Sequence, residues 1–194
     1  MALSSVCIFC GSSDTALGEH LALAREAGSR LAAEGITMVY GGGQSGLMGA
    51  AATACMEAGG EVVGVIPGGM FTNEIAHDHI TTLHTVPDMH ARKAMMYSLS
   101  DGFLALPGGL GTFEEVFEAA TWTQLGLHDR AKTVVLCATD GFWDGAASLL
   151  DTANASGLVR DTNRAIIRSA SSVDQAMQQL RDEPQREQPE YVTR

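Results

Sequence analysis

The stretch LPGGLGTFEE, residues 106–115, combines the glycines of a phosphate-binding turn with two carboxylates. It follows an apolar run and precedes a segment of helical period, so we expect a strand-to-helix turn. N–H groups at the start of a helix bind phosphate well, because they have no intrahelical partner and the helix dipole favours negative charge there. We therefore expect the turn from Gly109 to Thr112 to bind a phosphate. Because Glu115 would repel that phosphate, the two should contact different parts of one ligand.

The same residues allow a simpler interpretation, a capping box at the start of the helix. In that motif the side chains of Thr112 and Glu115 would each bond the backbone N–H of the other residue. The glycines of PGGLG give more backbone freedom than such a cap requires, which favours a ligand. Taken alone, the stretch supports both interpretations.

A second group of candidates is the pair Arg92 and Lys93 in MHARKAMM. Both fall in the first turn of a predicted helix, where the helix dipole disfavours cations. Arg92 also shares a helical stripe with Met96 and Leu99, and such a stripe normally faces the core. A snorkelling surface pair is one explanation. A guanidinium held at a crevice, bonded to an anionic ligand or to a catalytic carboxylate, explains both features.

Composition limits the classes of function. The chain of 194 residues fits one domain, which we place at residues 1–181, followed by a charged, flexible tail at 182–194. A formal charge of −11 argues against a nucleic-acid partner. No apolar run approaches the roughly 20 residues that cross a bilayer, and the N-terminus lacks a signal-peptide pattern. We expect a cytoplasmic protein without a membrane partner.

The cysteines and histidines do not predict a metal or redox site. Cys7 and Cys10 form a CxxC spacing, but Cys7 lies inside the apolar run SVCIFC and should be buried in a strand. Four histidines lack the spacing of zinc ligands, namely His77, His79, His84 and His90. We expect no metal and no cofactor.

The elements that must position these residues alternate between short β-rich runs and segments of helical period. Runs such as SVCIFC, TMVYGG and EVVGVIP are apolar throughout, which predicts strands buried on both faces. This alternation predicts an α/β fold, a Rossmann-like three-layer αβα arrangement with a parallel central sheet. We expect a last strand at 165–168 and a last helix at 172–180.

In an open parallel sheet the ligand lies at the carboxyl ends of the strands. Four loops rich in glycine or serine should meet there, at residues 11–13, 41–46, 68–74 and 107–112. The candidate ligand contacts in the first two loops are Gly11, Ser12, Gly42 and Gly43. The loop GGGQSGLMG lacks the GxGxxG spacing of a dinucleotide fingerprint, and a tight turn packed against the sheet is its alternative interpretation.

Three motifs in order resemble the LONELY GUY (LOG) family. They are MHARK at residues 89–93, PGGLGTFEE at 107–115 and TWTQLGLHD at 121–129, and the upstream FCGSS and YGGGQSGLMG also fit. Members of that family are dimeric, Rossmann-like cytokinin riboside 5′-monophosphate phosphoribohydrolases. They split the bond between an N6-substituted adenine and ribose 5-phosphate, and several bacterial members also accept AMP.

The resemblance implies roles for individual residues and a homodimer. Arg92 and Glu115 fall on the catalytic positions of the family. The implied nucleotide-binding positions are Glu74, Lys93, Gly109, Leu110, Gly111, Thr112, Phe113 and Glu114. Many family members were labelled lysine decarboxylases, but pyridoxal phosphate chemistry needs a Schiff-base lysine. Lys93 and Lys132 are the only lysines of this chain, and neither sits in a recognisable cofactor context.

The expected reaction passes through a transition state with oxocarbenium character. A carboxylate can stabilise its positive charge or activate the attacking water. We hypothesise that Glu115 meets the ribose and the incoming water, and that Arg92 orients Glu115 or contacts the ribose phosphate. The group that protonates the departing base is unassigned. The alternative is a non-catalytic nucleotide carrier or sensor on the same fold. The presence of both Arg92 and Glu115 favours the hydrolase.

Overall fold

The computed structural model describes residues 3–68, 77 and 79–182. Within these residues strands and helices alternate. In chain order they are β1 Ser5–Phe9, α1 Gly18–Ala33, β2 Thr37–Tyr40, α2 Gly46–Glu57, β3 Val62–Pro67, β4 Thr82–Val86, α3 Met89–Ser98, β5 Gly102–Ala105, α4 Leu110–Leu125, β6 Val134–Cys137, α5 Asp144–Ala155, α6 Asp161–Arg164, β7 Ile167–Ala170 and α7 Val173–Leu180. Glu74 and the predicted tail from residue 183 onward lie outside the described residues.

The seven described strands form one parallel sheet in the order β4-β3-β2-β1-β5-β6-β7. Side chains of α1, α2 and α7 form one hydrophobic core with the sheet, whereas side chains of α3, α4 and α5 form another. This arrangement confirms the predicted three-layer α/β fold. The strand order reverses between β1 and β5, and a parallel sheet opens its ligand crevice at the carboxyl ends of such a pair.

The central strands are buried on both faces, as their continuous apolar runs predict. In β1 the residues Val6 and Cys7 are 0% exposed, and Cys7 pairs with Phe103 of β5. Burial, and next the negative charge of Glu115, raise the pKa of the Cys7 thiol well above its usual value. The thiol therefore stays protonated, which does not suit a redox nucleophile.

Helices α1 and α2 pack closely because small residues face one another. A Cβ atom on Gly28 would lie 2.1 Å from the carbonyl oxygen of Ala51, so only glycine permits this approach. A Cβ atom on Gly49 would lie 1.7 Å from the carbonyl oxygen of Gln44. Ala51 of GLMGAAATAC thus packs against α1, whereas Gly49 permits α2 to pack against the preceding loop.

Two elements differ from the prediction. Helix α6 was not predicted, and β7 begins at Ile167, two residues later than expected. Ala165 is the C-cap of α6, so the chain pairs with β6 only from Ile167, which lies opposite Val134. In the part of the chain that is described, no helix combines the length and apolar character needed to cross a membrane.

Candidate active site

The loops after β1, β2 and β5 meet at the carboxyl edge of the sheet, as predicted. Residues 69–74 of the fourth predicted loop lie outside the described residues. The N–H of Gly11 donates to the carbonyl oxygen of Pro107 at 3.1 Å, and the carbonyl oxygen of Gly11 accepts from the N–H of Leu47 at 3.0 Å. Ser12 follows as an exposed residue. A Cβ atom on Gly108 would lie 2.8 Å from the nitrogen of Gly11, so this glycine permits the two loops to touch.

Helix α4 begins two residues before the predicted capping box. Gly109 is its N-cap and has no side-chain cap, and the N–H of Phe113 donates to the carbonyl oxygen of Gly109 at 3.1 Å. Thr112 is 3% exposed and its side chain packs against Gly108. Because Thr112 and Glu115 both lie inside the helix, the capping-box interpretation is wrong. The N–H groups of residues 110–112 precede the first intrahelical donor.

Among the described residues, no neighbouring atom explains why positions 109 and 111 are glycine. A Cβ atom on either would meet no heavy atom within 4 Å. Gly109 has φ −99°, which any residue adopts, and neither glycine has a positive φ. Glycine is also a poorer helix former than alanine by about 1 kcal/mol, so Gly111 does not favour α4. Among the described residues, open space therefore lies at the Cβ positions of both glycines, beside the almost fully exposed Leu110.

Arg92 is buried against the carboxyl ends of β2 and β3. Asp88 caps α3 by accepting from the N–H of Ala91 at 2.8 Å, and Arg92 follows in the next position. Its Nε donates to the carbonyl oxygen of Val65 at 3.0 Å and its Nη2 to that of Gly41 at 2.6 Å. A Cβ atom on Gly41 would lie 2.0 Å from Nη2, so glycine admits the guanidinium. With Arg92 only 5% exposed, a snorkelling surface residue is excluded.

Glu115 is half-buried on α4. After the effect of burial, the charge of Glu115 raises the pKa of the Cys7 thiol, and the charge of Arg92 lowers it. Glu115 also contributes to a raised pKa of Tyr97, after burial and the hydrogen bond to Glu118. Both predicted catalytic residues therefore lie within electrostatic reach of the same thiol in β1.

Lys93 is buried in ion pairs with α4. Its Nζ contacts Glu114 and lies 2.9 Å from Oε2 of Glu118. Burial disfavours the charged ammonium, but the hydrogen bonds to the two carboxylates outweigh it, so the pKa of Lys93 is raised. Nucleotide binding by Lys93 stays a prediction. Sequence reasoning missed Glu118, although its spacing of four residues from Glu114 matches the spacing of Lys93 and Tyr97 on α3.

The remaining predicted contacts have internal roles as well. The ring of Phe113 packs against Trp143 of the β6–α5 loop, with ring centroids 5.6 Å apart. Gly42 has φ +80°, which favours glycine, and its carbonyl oxygen accepts from the N–H of His77 at 3.0 Å. Gly43 is buried beside it. The tight-turn interpretation of this loop therefore explains Gly42.

The motif TWTQLGLHD forms the end of α4 and its packing against the core. Gly126 ends the helix with φ +71°, and Nε2 of His128 lies 3.1 Å from the carbonyl oxygen of Ala119. The rings of Trp122 and His128 pack edge-on against Tyr97, with centroids 5.2 and 5.7 Å away. This motif positions α4 rather than a ligand.

In the described part of the chain, three side chains that could ligate a metal ion come together at one place. Glu19, His20 and Asp140 lie within 4.8 Å of one another, and Nε2 of His20 is 2.8 Å from Oδ2 of Asp140. The hydrogen bond from His20 lowers the pKa of Asp140. The four histidines considered from the sequence are not members of this group.

The contrast between Gly41 and Gly111 yields a prediction about stability. Gly41→Ala should lower the free energy of unfolding by about 1–3 kcal/mol, because the new methyl group displaces a buried guanidinium from two carbonyl oxygens. Gly111→Ala, the matched control, should leave stability unchanged or raise it by up to about 1 kcal/mol. Urea unfolding followed by circular dichroism measures both. Equal destabilisation by the two substitutions would contradict the conclusion that Gly41, and not Gly111, makes room for a protein side chain.

Residues 48–180 match the family described as "Possible lysine decarboxylase". The residues present do not fit the pyridoxal phosphate chemistry that this description implies, which requires a free lysine amine. Lys93 is ion-paired with Glu114 and Glu118. Lys132 is 2% exposed, and its Nζ lies 2.8 Å from Oδ1 of Asp129 and donates to the carbonyl oxygen of Tyr97 at 3.0 Å.

Individual relatives identify the family more specifically than that description does. The chain is 42% identical over 177 residues to cytokinin riboside 5′-monophosphate phosphoribohydrolase LOG1 of Arabidopsis thaliana, covering 91% of this chain and 82% of the relative. It is 41% identical over 176 residues to probable cytokinin riboside 5′-monophosphate phosphoribohydrolase LOGL3 of Oryza sativa subsp. japonica, with coverage of 91% and 82%. Among solved structures, the molybdenum cofactor carrier protein of Chlamydomonas reinhardtii matches with a TM-score of 0.69 and 25% identity, over 91% of this chain and 95% of the other. The identity and coverage of the sequence relatives place this chain in the LONELY GUY (LOG) family of cytokinin riboside 5′-monophosphate phosphoribohydrolases.

Proposed function

We propose that this protein hydrolyses the N-glycosidic bond of cytokinin riboside 5′-monophosphates and of AMP, releasing the free base and ribose 5-phosphate. The observation that carries the proposal is the open space over Gly109 and Gly111 at the start of α4, with Glu115 on the same helix. The names of the relatives at 42% and 41% identity support it.

The 5′-phosphate would bind at the N–H groups of Leu110, Gly111 and Thr112. Three features favour an anion there without a lysine: donors that lack an intrahelical partner, the positive end of the helix dipole, and glycines that allow close approach to the backbone. This mode of binding suits a chain with a net charge of −11.

Glu115 would act on the ribose end of the same substrate. It lies four residues after Gly111, which is about one turn, or about 6 Å, further along α4 and on the same face. In the reaction, water forms a bond to the anomeric carbon while the bond to the base breaks, and the base leaves with the electron pair and gains a proton. Glu115 would stabilise the positive charge on the ribose or accept a proton from the attacking water.

Arg92 would orient Glu115 or contact the ribose phosphate. Its bonds to the carbonyl oxygens of Gly41 and Val65 hold the guanidinium in place before the substrate arrives. Such prior positioning reduces the reorganisation that the transition state requires. Glu74, proposed to hold the ribose or the base, lies outside the described residues.

A nucleotide carrier or sensor is the second candidate, favoured by the fold match to the molybdenum cofactor carrier protein. Chromatography after incubation with AMP and with isopentenyladenosine monophosphate separates the two. A hydrolase should produce free base and ribose 5-phosphate in equal amounts. Absence of both products with both substrates would favour the carrier.

Glu115→Gln should abolish base release, with a loss of at least about 100-fold in kcat, because the neutral amide can neither accept a proton nor stabilise positive charge. Calorimetry should show AMP affinity within about threefold of the unchanged protein, since uniform binding energy is retained. Glu57→Gln on α2, at an exposed position on the other side of the sheet, is the control and should keep full turnover. Full turnover by Glu115→Gln would disprove this mechanism.

Gly111→Ala should weaken the binding of AMP and of ribose 5-phosphate by at least about tenfold, because the methyl group would occupy the space proposed for the phosphate. Binding of adenosine, which lacks the phosphate, should change much less. Calorimetric titration with the three compounds measures this. An unchanged affinity for ribose 5-phosphate would place the phosphate elsewhere.

We further propose that the protein is a cytoplasmic homodimer. Large apolar side chains are exposed along α4 and directly after it. Leu110 is 85% exposed, Phe117 38%, Leu125 49% and Leu127 59%. The spacing of Leu110, Phe117 and Leu125 places them on one stripe of the helix, and a second copy of this chain is the proposed cover for that stripe. The four free cysteines, all buried, are compatible with a reducing compartment.

Leu125→Asp should therefore shift the protein from dimer to monomer in sedimentation velocity, because a carboxylate would have to be buried in the interface. Leu158→Asp, at an 83% exposed leucine after α5, is the matched control and should leave the mass unchanged. A dimer that persists in Leu125→Asp would move the interface away from this stripe.

A further inference from the structure

Helices α3 and α4 are joined by polar contacts that converge on one carboxylate oxygen. Oε2 of Glu118 lies 2.9 Å from Nζ of Lys93, and the same oxygen accepts a hydrogen bond from the hydroxyl of Tyr97 at 2.8 Å. Lys93 and Tyr97 are four residues apart and therefore lie on one face of α3. Nζ of Lys93 also contacts Glu114, one turn before Glu118 on α4. We call Lys93, Tyr97 and Glu118 the interhelical clamp.

The clamp is largely shielded from water. The side chain of Lys93 is 7% exposed and that of Glu118 26%, whereas Glu114 is 54% exposed. Tyr97 is fully buried. A charged hydrogen bond inside a protein is stronger and more directional than one at the surface, so the inner contacts to Glu118 should define the geometry.

The α3 side of the clamp is rigid. The ring of Tyr97 packs edge-on against Phe9 of β1 and Phe103 of β5, with centroids 6.1 and 5.4 Å away. The carbonyl oxygen of Tyr97 accepts from the buried ammonium of Lys132 at 3.0 Å. Tyr97 thus holds Glu118, and with it α4, at a fixed position relative to the core.

The clamp lies beside the proposed catalytic pair along both helices. Arg92 directly precedes Lys93 on α3, and Glu115 lies between Glu114 and Glu118 on α4. The charge of Glu115 acts on the clamp residue Tyr97, and the charges of Glu115 and Arg92 both act on Cys7. Any change in the spacing of the two helices at the clamp therefore changes the distance between Arg92 and Glu115.

We propose that Glu118 is a positioning residue for base release, and that Lys93 and Tyr97 act through it to hold Glu115 at its working distance from Arg92. Lys93 then serves the reaction through α4, not by binding the phosphate of the substrate. The inference rests on the proposed hydrolase function. Chemistry that depends on geometry is sensitive to displacements of about 1 Å, which can cost about 100-fold in rate.

The test compares turnover with binding in Glu118→Gln, Lys93→Met and Tyr97→Phe. The variants should lower kcat for release of base from AMP by about 10- to 100-fold, while the dissociation constants of AMP and ribose 5-phosphate stay within about twofold. Lys93→Arg, which keeps the charge, should recover most of the turnover. Arg164→Met, which breaks a 2.7 Å pair with Asp151 between α6 and α5, is the matched control for loss of an interhelical ion pair.

A purely structural role would lower the thermal midpoint without changing kcat at temperatures where the variant is folded, and that result overturns the proposal. A rise of tenfold or more in the dissociation constant of ribose 5-phosphate in Lys93→Met, with or without a fall in kcat, assigns Lys93 to phosphate binding and also overturns it. If Lys93→Met or Glu118→Gln does not fold, Tyr97→Phe, which removes one hydroxyl, decides by the same criteria. An inactive unchanged protein refutes the proposed function, and the clamp role with it. Failure of the clamp role alone leaves the turnover of the unchanged protein intact.

Discussion

Two buried cations on adjacent residues of α3 determine how the rest of the site is arranged. Burying a charge is costly unless it is paired, so Arg92 and Lys93 each require partners inside the protein. Arg92 bonds carbonyl oxygens at the ends of β2 and β3, and Lys93 bonds carboxylates of α4. The two neighbours thus attach α3 both to the sheet and to α4 at one point. Gly41 lacks a side chain because the guanidinium occupies that volume.

The positions at the carboxyl edge of the sheet are glycine for different physical reasons. Gly41 and Gly108 admit a side chain or a neighbouring loop, and Gly42 adopts a positive φ. Gly109 and Gly111 have neither explanation within the described residues, and they flank the exposed start of a helix. Space that none of the described residues fills, next to N–H donors without an intrahelical partner, is the feature expected of a backbone that binds phosphate. The motif PGGLG therefore contains one glycine that packing requires and two for which we propose a ligand.

The fold alone does not distinguish a hydrolase from a carrier. The same architecture matches a molybdenum cofactor carrier protein, and shared architecture does not imply shared chemistry. The side chains at the site distinguish a hydrolase from a carrier. A carboxylate about one turn beyond the proposed phosphate turn, together with a buried guanidinium that acts on the same thiol of β1, is more than binding requires. The contacts of Lys93 and Tyr97 to Glu118 fix the helix that carries Glu115. A fixed carboxylate position matters for a reaction and little for a carrier.

The sequence by itself determined the alternating strands and helices, the parallel sheet and the edge at which the glycine loops meet, because these follow from the local periodicity of apolar residues and from loop composition. It also identified Arg92, because a cation on a core-facing stripe is unusual at any helix start. It did not reveal the partners of Arg92, since Gly41 and Val65 lie 51 and 27 residues away along the chain. The capping box failed for a related reason. Contact between Gly108 and Gly11 brings the loops together, and α4 begins at Leu110 rather than after Thr112. Only the tertiary structure assigned Lys93 to Glu118, because a buried charge takes the partner that the packing of distant segments brings within reach.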